Sequence, residues 1–194
     1  MLRFIREIVY YAKNKMLVVT PEFIALEPML AVIIEDHQFM EGAGRIEKHV
    51  QVQGTSPFFN DRNRLYIIFQ SLISNAIRYA DHQKGHPFLH IRVHLNETGA
   101  TLRFADNGVG IDPTHQQRIF EMFYRAHERS KGSGLGLYLL AESLKKLGGH
   151  ITVDSTPGEG STFTLQIPNL QHLMPEPLLI ATAPKSSDKP VPVS

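Results

Sequence analysis

Apolar residues recur along this chain with two periods, and these periods predict where its helices and strands lie. Apolar steps of three and four residues are typical of helices, whereas strict alternation with polar residues is typical of strands. The predicted helices span residues 1–16, 27–40, 62–79 and 135–147. The predicted strands span residues 46–52, 88–95, 101–105, 150–155 and 161–167. Strands that follow one another directly predict a mostly antiparallel sheet, so we expect an α+β fold with helices on one face.

Turn residues mark several of the predicted boundaries. Asp61 is expected to cap the helix that follows it, and Gly42-Ala43-Gly44 is expected to end the helix that precedes it. Asn96-Glu97-Thr98-Gly99 has the composition of a hairpin turn between two strands. The segment from Gly108 to Gly134 is expected to be a long loop with a short helix near Gln116–Phe123.

The composition narrows the classes of function. The chain has 194 residues and a net charge of +1, which does not indicate binding to nucleic acid or to an anionic membrane surface. It has no cysteine, which excludes disulfides and thiolate metal sites and is compatible with a reducing cytoplasm. No apolar run approaches the roughly 20 residues of a membrane span. After Pro168 the pattern stops, and prolines with serines and lysines predict a flexible tail over residues 169–194.

Two glycine-rich turns carry the most informative chemistry. Asp106-Asn107-Gly108-Val109-Gly110 places a carboxylate in a turn whose glycines let the backbone approach a ligand. A carboxylate only accepts hydrogen bonds and the exocyclic amine of adenine donates them, so this turn suits adenine better than guanine. Gly132-Ser133-Gly134-Leu135-Gly136 opens onto a helix whose N-terminus would attract phosphates. Together the turns predict a nucleotide site, without the Gly-x-x-x-x-Gly-Lys-Ser/Thr pattern of a P-loop.

Four segments in a fixed order resemble the N, G1, F and G2 boxes of sensor histidine kinases. They are Leu72–Tyr79, Asp106–Gly110, Ile119–Arg125 and Gly132–Gly136. These kinases belong to an ATPase superfamily with gyrase, the heat-shock 90 chaperone and mismatch-repair ATPases. The resemblance covers residues 17–168, including Gly160-Ser161-Thr162-Phe163, and implies a two-layer α+β sandwich with a mixed, mostly antiparallel sheet and a mobile ATP lid. Residues 1–16 resemble the C-terminal end of a dimerisation helix.

The resemblance assigns roles to the helix of the first box. It implies that Asn75 is the ligand of a Mg²⁺ ion bound with ATP, and a neutral amide oxygen suits this hard cation. Arg78 lies three residues farther on, nearly on the same face, and could pair with a phosphate. Tyr79 could stack on the adenine or pack in the core. Asn75 and Arg78 are the predicted catalytic residues.

The other boxes and the last strand supply the rest of the predicted ATP site. Phe120 and Phe123 are expected to anchor the lid by packing, and Arg125 and Lys131 are candidate cations for the γ-phosphate or for a partner domain. The full predicted ATP-binding set is Asn75, Arg78, Tyr79, Asp106, Gly108, Gly110, Ile111, Phe123, Arg125, Lys131, Gly132, Gly134, Leu135, Gly136 and Thr162.

Two departures from the family pattern shape the expected activity. Ser71 stands one helical turn before Asn75, where hydrolysing relatives have a glutamate that activates water and histidine kinases commonly have asparagine. A serine is a poor general base, so we expect very slow ATP hydrolysis. No histidine followed by an acidic residue precedes residue 17. The acceptor histidine is therefore expected on a dimerisation domain absent from this chain.

These expectations define one function and two alternatives. The chain is expected to bind ATP or ADP as the cytoplasmic, monomeric catalytic domain of a sensor kinase. It would transfer the γ-phosphate to the histidine of the dimerisation domain and signal through a response regulator receiver domain, with no nucleic acid partner. One alternative is a stand-alone serine kinase of the anti-sigma-factor type. The other is a degenerate nucleotide-binding scaffold, which an ATP titration would separate from the first reading.

Overall fold

The structure of the protein is a computed structural model that describes residues 2–126 and 133–174. Within these residues the chain forms five α-helices and seven β-strands. The helices are α1 (Leu2–Met16), α2 (Leu26–Asp36), α3 (Arg62–Arg78), α4 (Pro113–Gln116) and α5 (Gly136–Lys146). The strands are β1 (Glu22–Phe23), β2 (Glu47–Gln53), β3 (Phe59–Asn60), β4 (Phe88–Asn96), β5 (Gly99–Asp106), β6 (His150–Thr156) and β7 (Gly160–Pro168). Short 3₁₀ turns span Ala43–Arg45, Arg118–Phe120 and Gln171–Leu173.

The main sheet has five strands in the order β2-β4-β5-β7-β6. β2 runs parallel to β4, and each of the other neighbouring pairs is antiparallel. The parallel pair is possible because α3 lies between β2 and β4 in the chain and supplies the long crossover that parallel strands need. β1 and β3 form a separate antiparallel pair. The predicted α+β fold with a mixed, mostly antiparallel sheet is therefore confirmed.

Alternation along the strands turns one face of the sheet towards the helices and the other towards solvent. In β4, Leu89 and Ile91 are buried, whereas Arg92 is exposed. α3 covers the buried face and packs beside α5. The buried apolar residues of α3 are Leu65, Ile68, Phe69, Leu72, Ile73, Ala76 and Ile77. Helices on one face of the sheet are thus found as predicted.

Helix α2 ends earlier than predicted, at Asp36 instead of near Met40. The ring Nδ1 of His37 lies 2.7 Å from the carbonyl oxygen of Ile33, and this contact closes the last turn. The glycines at 42 and 44 therefore lie beyond the helix, and Gly42 leads into a 3₁₀ turn.

The predicted lid helix near Gln116–Phe123 is wrong in its position. The helix α4 comes before it, and a 3₁₀ turn follows. Asp112 sets the early start, because its Oδ1 accepts the N–H of Thr114 at 2.9 Å and Pro113 fits the first helical position.

A buried arginine fastens α1 to the start of α3. Arg64 forms a buried ion pair with Asp61. Its Nε donates to Oδ1 of Asn14 at 2.9 Å, and its Nη2 donates to the carbonyl oxygen of Leu17 at 2.7 Å. Asp61 is also the N-cap of α3, as predicted, since its Oδ1 accepts the N–H of Arg64 at 3.0 Å. Because a buried donor without an acceptor is costly, the hydrogen bonds to Asn14 and Leu17 hold the end of α1 against the start of α3.

Ordered contacts continue past Pro168 into the segment predicted as a tail. The N–H of Leu170 donates to the carbonyl oxygen of Phe59 at 2.8 Å, and the Leu170 side chain is buried. The rest of the predicted tail, residues 175–194, lies outside the described residues. None of the described helices combines the length and the apolar character that a membrane span needs.

Candidate functional site

A cleft opens where the end of α3, the turn after β5, the lid and the start of α5 meet. Apolar side chains that the sequence did not assign to the site also line it, among them Ile119, Leu137 and Phe163. The predicted ATP-binding residues that line it are Asn75, Arg78, Tyr79, Asp106, Gly110, Ile111, Arg125, Gly134 and Gly136. The fold thus brings residues from all four predicted boxes to one cleft.

Asp106 lies at the end of β5, inside this cleft. Its Oδ1 accepts the N–H of Gly108 at 2.9 Å. Burial raises the pKa of Asp106 to about 6, and the N–H groups of Gly108 and Ser161 and the charge of Lys84 act in the opposite direction. The carboxylate is therefore ionised at neutral pH but poorly solvated, which strengthens a hydrogen bond donated to it by a ligand.

The turn that follows, residues 106–110, is called the Asp106 turn below, and it has no room for side chains at its glycines. A Cβ on Gly108 would lie 2.4 Å from the carbonyl oxygen of Tyr79, and one on Gly110 would lie 2.0 Å from that of Thr156. Gly110 also has a φ of 71°, which favours glycine. The turn is thus held between the end of α3 and the β6–β7 turn, residues 156–160. Gly108 is buried and supports the cleft from behind without lining it.

Lys84, in the loop between α3 and β4, contacts the back of the Asp106 turn and was missed in the sequence. Its Nζ donates to the carbonyl oxygens of Asn107 at 2.6 Å and Gly108 at 3.1 Å, and to that of Gly158 at 2.6 Å. These partners are distant in the chain, and a single lysine in a polar loop carries no local pattern. No signal in the sequence could have identified the contact.

The last turn of α3 forms another wall of the cleft. Oδ1 of Asn75 accepts a hydrogen bond from Nη1 of Arg78 at 3.3 Å. Tyr79, the C-cap residue of α3, is 37% exposed, so the alternative that it packs in the core does not hold.

The donor set of the cleft fits a metal ion that arrives with a ligand. In residues 2–126 and 133–174, no group of three His, Asp or Glu side chains could hold a metal ion by itself. Asn75 offers one neutral oxygen at the cleft. Mg²⁺ keeps several waters and takes few protein ligands when it is bound with phosphates. Asn75 is therefore compatible with nucleotide-bound Mg²⁺.

The lid is described up to residue 126, and its anchors differ in part from those predicted. Phe120 packs against the core as predicted. Phe123 is 51% exposed and has a φ of 64°, so its predicted role as a packed anchor is wrong. The backbone N–H of Phe123 instead donates to the carbonyl oxygen of Gly134 at 3.1 Å, which joins the lid to the second glycine turn.

Tyr124, which was missed in the sequence, anchors the lid in place of Phe123. Its hydroxyl lies 2.6 Å from Nδ1 of His115, and the guanidinium of Arg118 lies 4.3 Å from the centre of its ring. The side chain also packs against the core. Arg125 follows it and lines the cleft, whereas Lys131 lies outside the described residues.

The second glycine turn leads into α5. Gly134 has a φ of 73°, and a Cβ there would lie 2.7 Å from the carbonyl carbon of Phe123. Gly136 begins α5 and lines the cleft, whereas Leu135 is buried behind it. The N-terminal N–H groups of α5 therefore place the positive end of a helix at this wall of the cleft, where it would attract an anion. Gly132 lies outside the described residues.

On β7, Ser161 and Phe163 line the cleft, and the predicted Thr162 does not. Asp106 pairs with Ser161 in the sheet register. Because successive side chains of a strand point to opposite faces, Thr162 lies on the face away from the cleft. The prediction was wrong by one residue, which on a strand reverses the face.

Comparison with known proteins supports the reading of these segments. The chain matches the family model "Histidine kinase-, DNA gyrase B-, and HSP90-like ATPase" over residues 60–171. It is 36% identical over 129 residues to the phytochrome-like protein Cph1 of Synechocystis, a match that covers 64% of this chain and 17% of Cph1. It is 32% identical over 152 residues to the phosphate regulon sensor protein PhoR of Pseudomonas aeruginosa, covering 73% of this chain and 32% of PhoR. The chain thus spans only a minor part of either relative.

Solved structures share the fold. The mycobacterial sensor histidine kinase MprB aligns with a TM-score of 0.64 at 24% identity, covering 78% of this chain and 98% of that one. Full-length ShkA in complex with AMPPNP aligns with a TM-score of 0.74 at 21% identity, covering 87% of this chain and 35% of that one. The family model covers more than half of the chain, from the start of α3 past the end of β7. The protein therefore belongs to the histidine kinase-, DNA gyrase B- and HSP90-like ATPase family, and its resemblance to the ATP-binding domain of sensor histidine kinases is confirmed.

Proposed function

We propose that this chain binds ATP with Mg²⁺ and, as the catalytic domain of a sensor histidine kinase, donates the γ-phosphate to a histidine on a dimerisation domain. A response regulator receiver domain would take the phosphoryl group in the next step of the two-component pathway. The observation that carries the proposal is the poorly solvated carboxylate of Asp106 in the same cleft as Asn75 and Arg78. We also propose a cytoplasmic location, because the reaction depends on ATP.

Asp106 would recognise the base. Its carboxylate accepts a hydrogen bond from the exocyclic amine of adenine, whereas guanine carries a carbonyl oxygen at the corresponding position, and two acceptors repel each other. Ile111 and Phe163 line the cleft beside it and provide apolar contact for the ring. Tyr79 is exposed at the same cleft and is placed to stack on the adenine.

The start of α5 and the two arginines of the cleft would hold the phosphates. The N-terminal N–H groups of α5 and the guanidinium groups of Arg78 and Arg125 offer positive charge on this side. Mg²⁺ at Asn75 would supply neutralisation of the phosphate charge. In the transfer, the bond from the γ-phosphorus to the bridging oxygen breaks and a bond to the imidazole nitrogen forms. ADP leaves with the electron pair, and the imidazole releases its proton.

Ser71 favours transfer of the phosphoryl group to a histidine over hydrolysis of ATP. It is buried on α3, and its Oγ lies 3.8 Å from the position of a Cβ on Gly136, at the start of α5. A hydroxyl there cannot take a proton from water as a carboxylate would. ATP bound to the chain would therefore persist until an acceptor histidine arrives.

Calorimetry with ATP, ADP and GTP, each with and without Mg²⁺, tests the nucleotide half of the proposal. We expect ATP binding that depends on Mg²⁺ and clearly weaker GTP binding, because Asp106 favours adenine. Equal affinities for ATP and GTP would contradict the assigned role of Asp106.

Incubation with γ-labelled ATP and the histidine-bearing domain of a related sensor kinase tests the transfer half. Label on histidine is acid-labile and is the expected result, with Asn75→Ala as an inactive control. Acid-stable label on a serine of a protein partner would favour the anti-sigma-type alternative. ATP binding without any transfer would favour the scaffold.

A further inference from the structure

The ammonium group of Lys84 sits where two turns meet behind the cleft. In the Asp106 turn it donates to the carbonyl oxygens of Asn107 at 2.6 Å and Gly108 at 3.1 Å. In the β6–β7 turn it donates to the carbonyl oxygen of Gly158 at 2.6 Å, with that of Glu159 at 3.5 Å. A lysine ammonium has three N–H donors. The three shorter contacts therefore use every donor, and they join both turns to one cation.

We propose that Lys84 is a positioning residue for base recognition, whose ammonium group fastens the Asp106 turn to the β6–β7 turn and so sets the position of the Asp106 carboxylate. This inference rests on the proposed nucleotide function. Lys84 would not touch the nucleotide, because its contacts lie on the side of the turn away from the cleft, and it does not line the cleft.

One peptide group connects Lys84 with Asp106. The carbonyl of Asn107 accepts from Nζ of Lys84 at 2.6 Å, and the N–H of the same peptide group, that of Gly108, donates to Oδ1 of Asp106 at 2.9 Å. Hydrogen bonds in such a chain polarise one another, so the cation strengthens the N–H that holds the carboxylate. Rotation of this peptide would break both contacts. Lys84 thus determines the orientation of the Gly108 N–H, the backbone group of the Asp106 turn that donates to the Asp106 carboxylate.

The charge of Lys84 also acts on the carboxylate. It favours the ionised form of Asp106 and so opposes the rise in pKa that burial causes. The other charged groups that line the cleft are Arg78 on α3 and Asp112 and Arg125 on the lid. All three line the cleft, where the ligand and its phosphates would change any effect of their charges on Asp106. Lys84 lies behind the turn and keeps its effect when the cleft is filled.

Lys84→Met tests the proposal, with Lys48→Met as the matched control. Lys48 also donates to backbone carbonyls, those of Ala43 and Ile46, but it does not line the cleft. We expect Lys84→Met to weaken ATP binding by about 10-fold or more and to reduce the preference for ATP over GTP. The acid limb of the pH profile of ATP binding should move to higher pH, because Asp106 would protonate more easily. Lys84→Arg should restore most of the affinity, and Lys48→Met should change none of these quantities.

The outcomes separate this inference from the function on which it rests. If Lys84→Met lowers the unfolding temperature but leaves the affinity, the base preference and the pH profile unchanged, Lys84 is only structural and the inference is overturned. If Lys84→Met does not fold, Lys84→Gln retains hydrogen-bond donors without the charge, and an unshifted pH profile in that variant overturns the inference equally. Wild-type protein that binds no ATP would overturn the proposed function as well.

Discussion

The two halves of the cleft are built differently. The half around Asp106 is fixed from behind, since its glycines have no room for a Cβ and Lys84 joins its turn to a neighbouring one. In the part of the lid that the structure describes, up to residue 126, there are one short helix and a 3₁₀ turn, and the exposed Phe123 lies in left-handed backbone. A flat base needs a donor and an acceptor in fixed places, whereas a polyanion supplies charge that can order the groups around it. For the proposed nucleotide function, this difference predicts that the half that would recognise the base is preformed, whereas the half that would hold the phosphates is completed by the ligand.

The largest effect on ATP binding should come from a substitution in the half of the cleft around Asp106. Asp106→Asn replaces an acceptor by a group that can present a donor to the adenine amine, and we expect a loss of about 1–3 kcal/mol in ATP binding. Asp154→Asn on the exposed strand β6 removes a carboxylate away from the cleft and should leave binding unchanged. Calorimetry of both variants makes the comparison, and equal effects would show that the preformed half does not recognise the base.

The same residue should make the nucleotide-free protein less stable at neutral pH. The pKa of Asp106 in the folded chain is about 6, above its ordinary value of 3.8, so the folded state binds this proton more tightly than the unfolded state. The free energy of unfolding therefore falls through this group as the pH rises from about 4 to about 6, by on the order of 3 kcal/mol. Asp106→Asn should be more stable than the wild type at pH 7, with the gain relative to wild type shrinking towards pH 4.

Thermal or urea unfolding at several pH values measures this difference. Asp154→Asn again serves as the control, because that residue is exposed. A stability difference between Asp106→Asn and wild type that does not vary with pH would mean that the carboxylate is well solvated. A poorly solvated carboxylate would then no longer distinguish the half around Asp106 from the lid half.

A smaller effect is expected from Asn75, on the phosphate side. Asn75→Ala removes the amide oxygen at the cleft, and we expect about a 10-fold loss of ATP affinity in the presence of Mg²⁺. Affinity measured with EDTA should hardly change. Asn63→Ala, on an exposed position of the same helix, is the control. An equal loss with and without Mg²⁺ would remove Asn75 from the metal site.

The smallest effect in free energy should be seen in the lid. We predict that its amides over the described residues 112–126 exchange freely without nucleotide and become protected with a non-hydrolysable ATP analogue. The amides of the Asp106 turn should be protected to the same degree in both states. Hydrogen exchange with peptide resolution tests both statements, and a lid that is equally protected in both states would be a fixed element of the fold.

Local features of the fold were predictable from the sequence. Helix α3 has a wide apolar stripe and Asp61 before it, and the β4–β5 hairpin has a turn in which Oδ1 of Asn96 accepts the N–H groups of Thr98 and Gly99. Such signals depend on residues close in the chain. The two-residue strands β1 and β3 were missed because they are too short to show an alternation.

Parts of the site could not be predicted, because they depend on contacts between distant segments. Lys84 donates hydrogen bonds to turns far along the chain. Phe123 and Tyr124 are adjacent aromatic residues, and the left-handed backbone at Phe123 makes Tyr124, and not Phe123, the packed anchor of the lid. Ser161 and Thr162 differ by one strand position, and only the pairing of Ser161 with Asp106 decides which of them shares its face. Lys131 and Gly132 lie outside the described residues, so their predicted roles stay predictions.

The hydrogen bonds that Arg64 donates to Asn14 and Leu17 couple the C-terminal end of α1 to the start of α3. Moving α1 away would break these hydrogen bonds and leave N–H groups of the buried guanidinium without acceptors, although its ion pair with Asp61 at the start of α3 would remain. A displacement of α1 is therefore expected to move α3 with it. α3 is about 25 Å long at 1.5 Å per residue. Arg64 lies at its near end, and Asn75 and Arg78 lie at its far end, beside the cleft. We therefore expect a small angular displacement of α1 to become a displacement of Asn75 and Arg78, the groups proposed to face the phosphates.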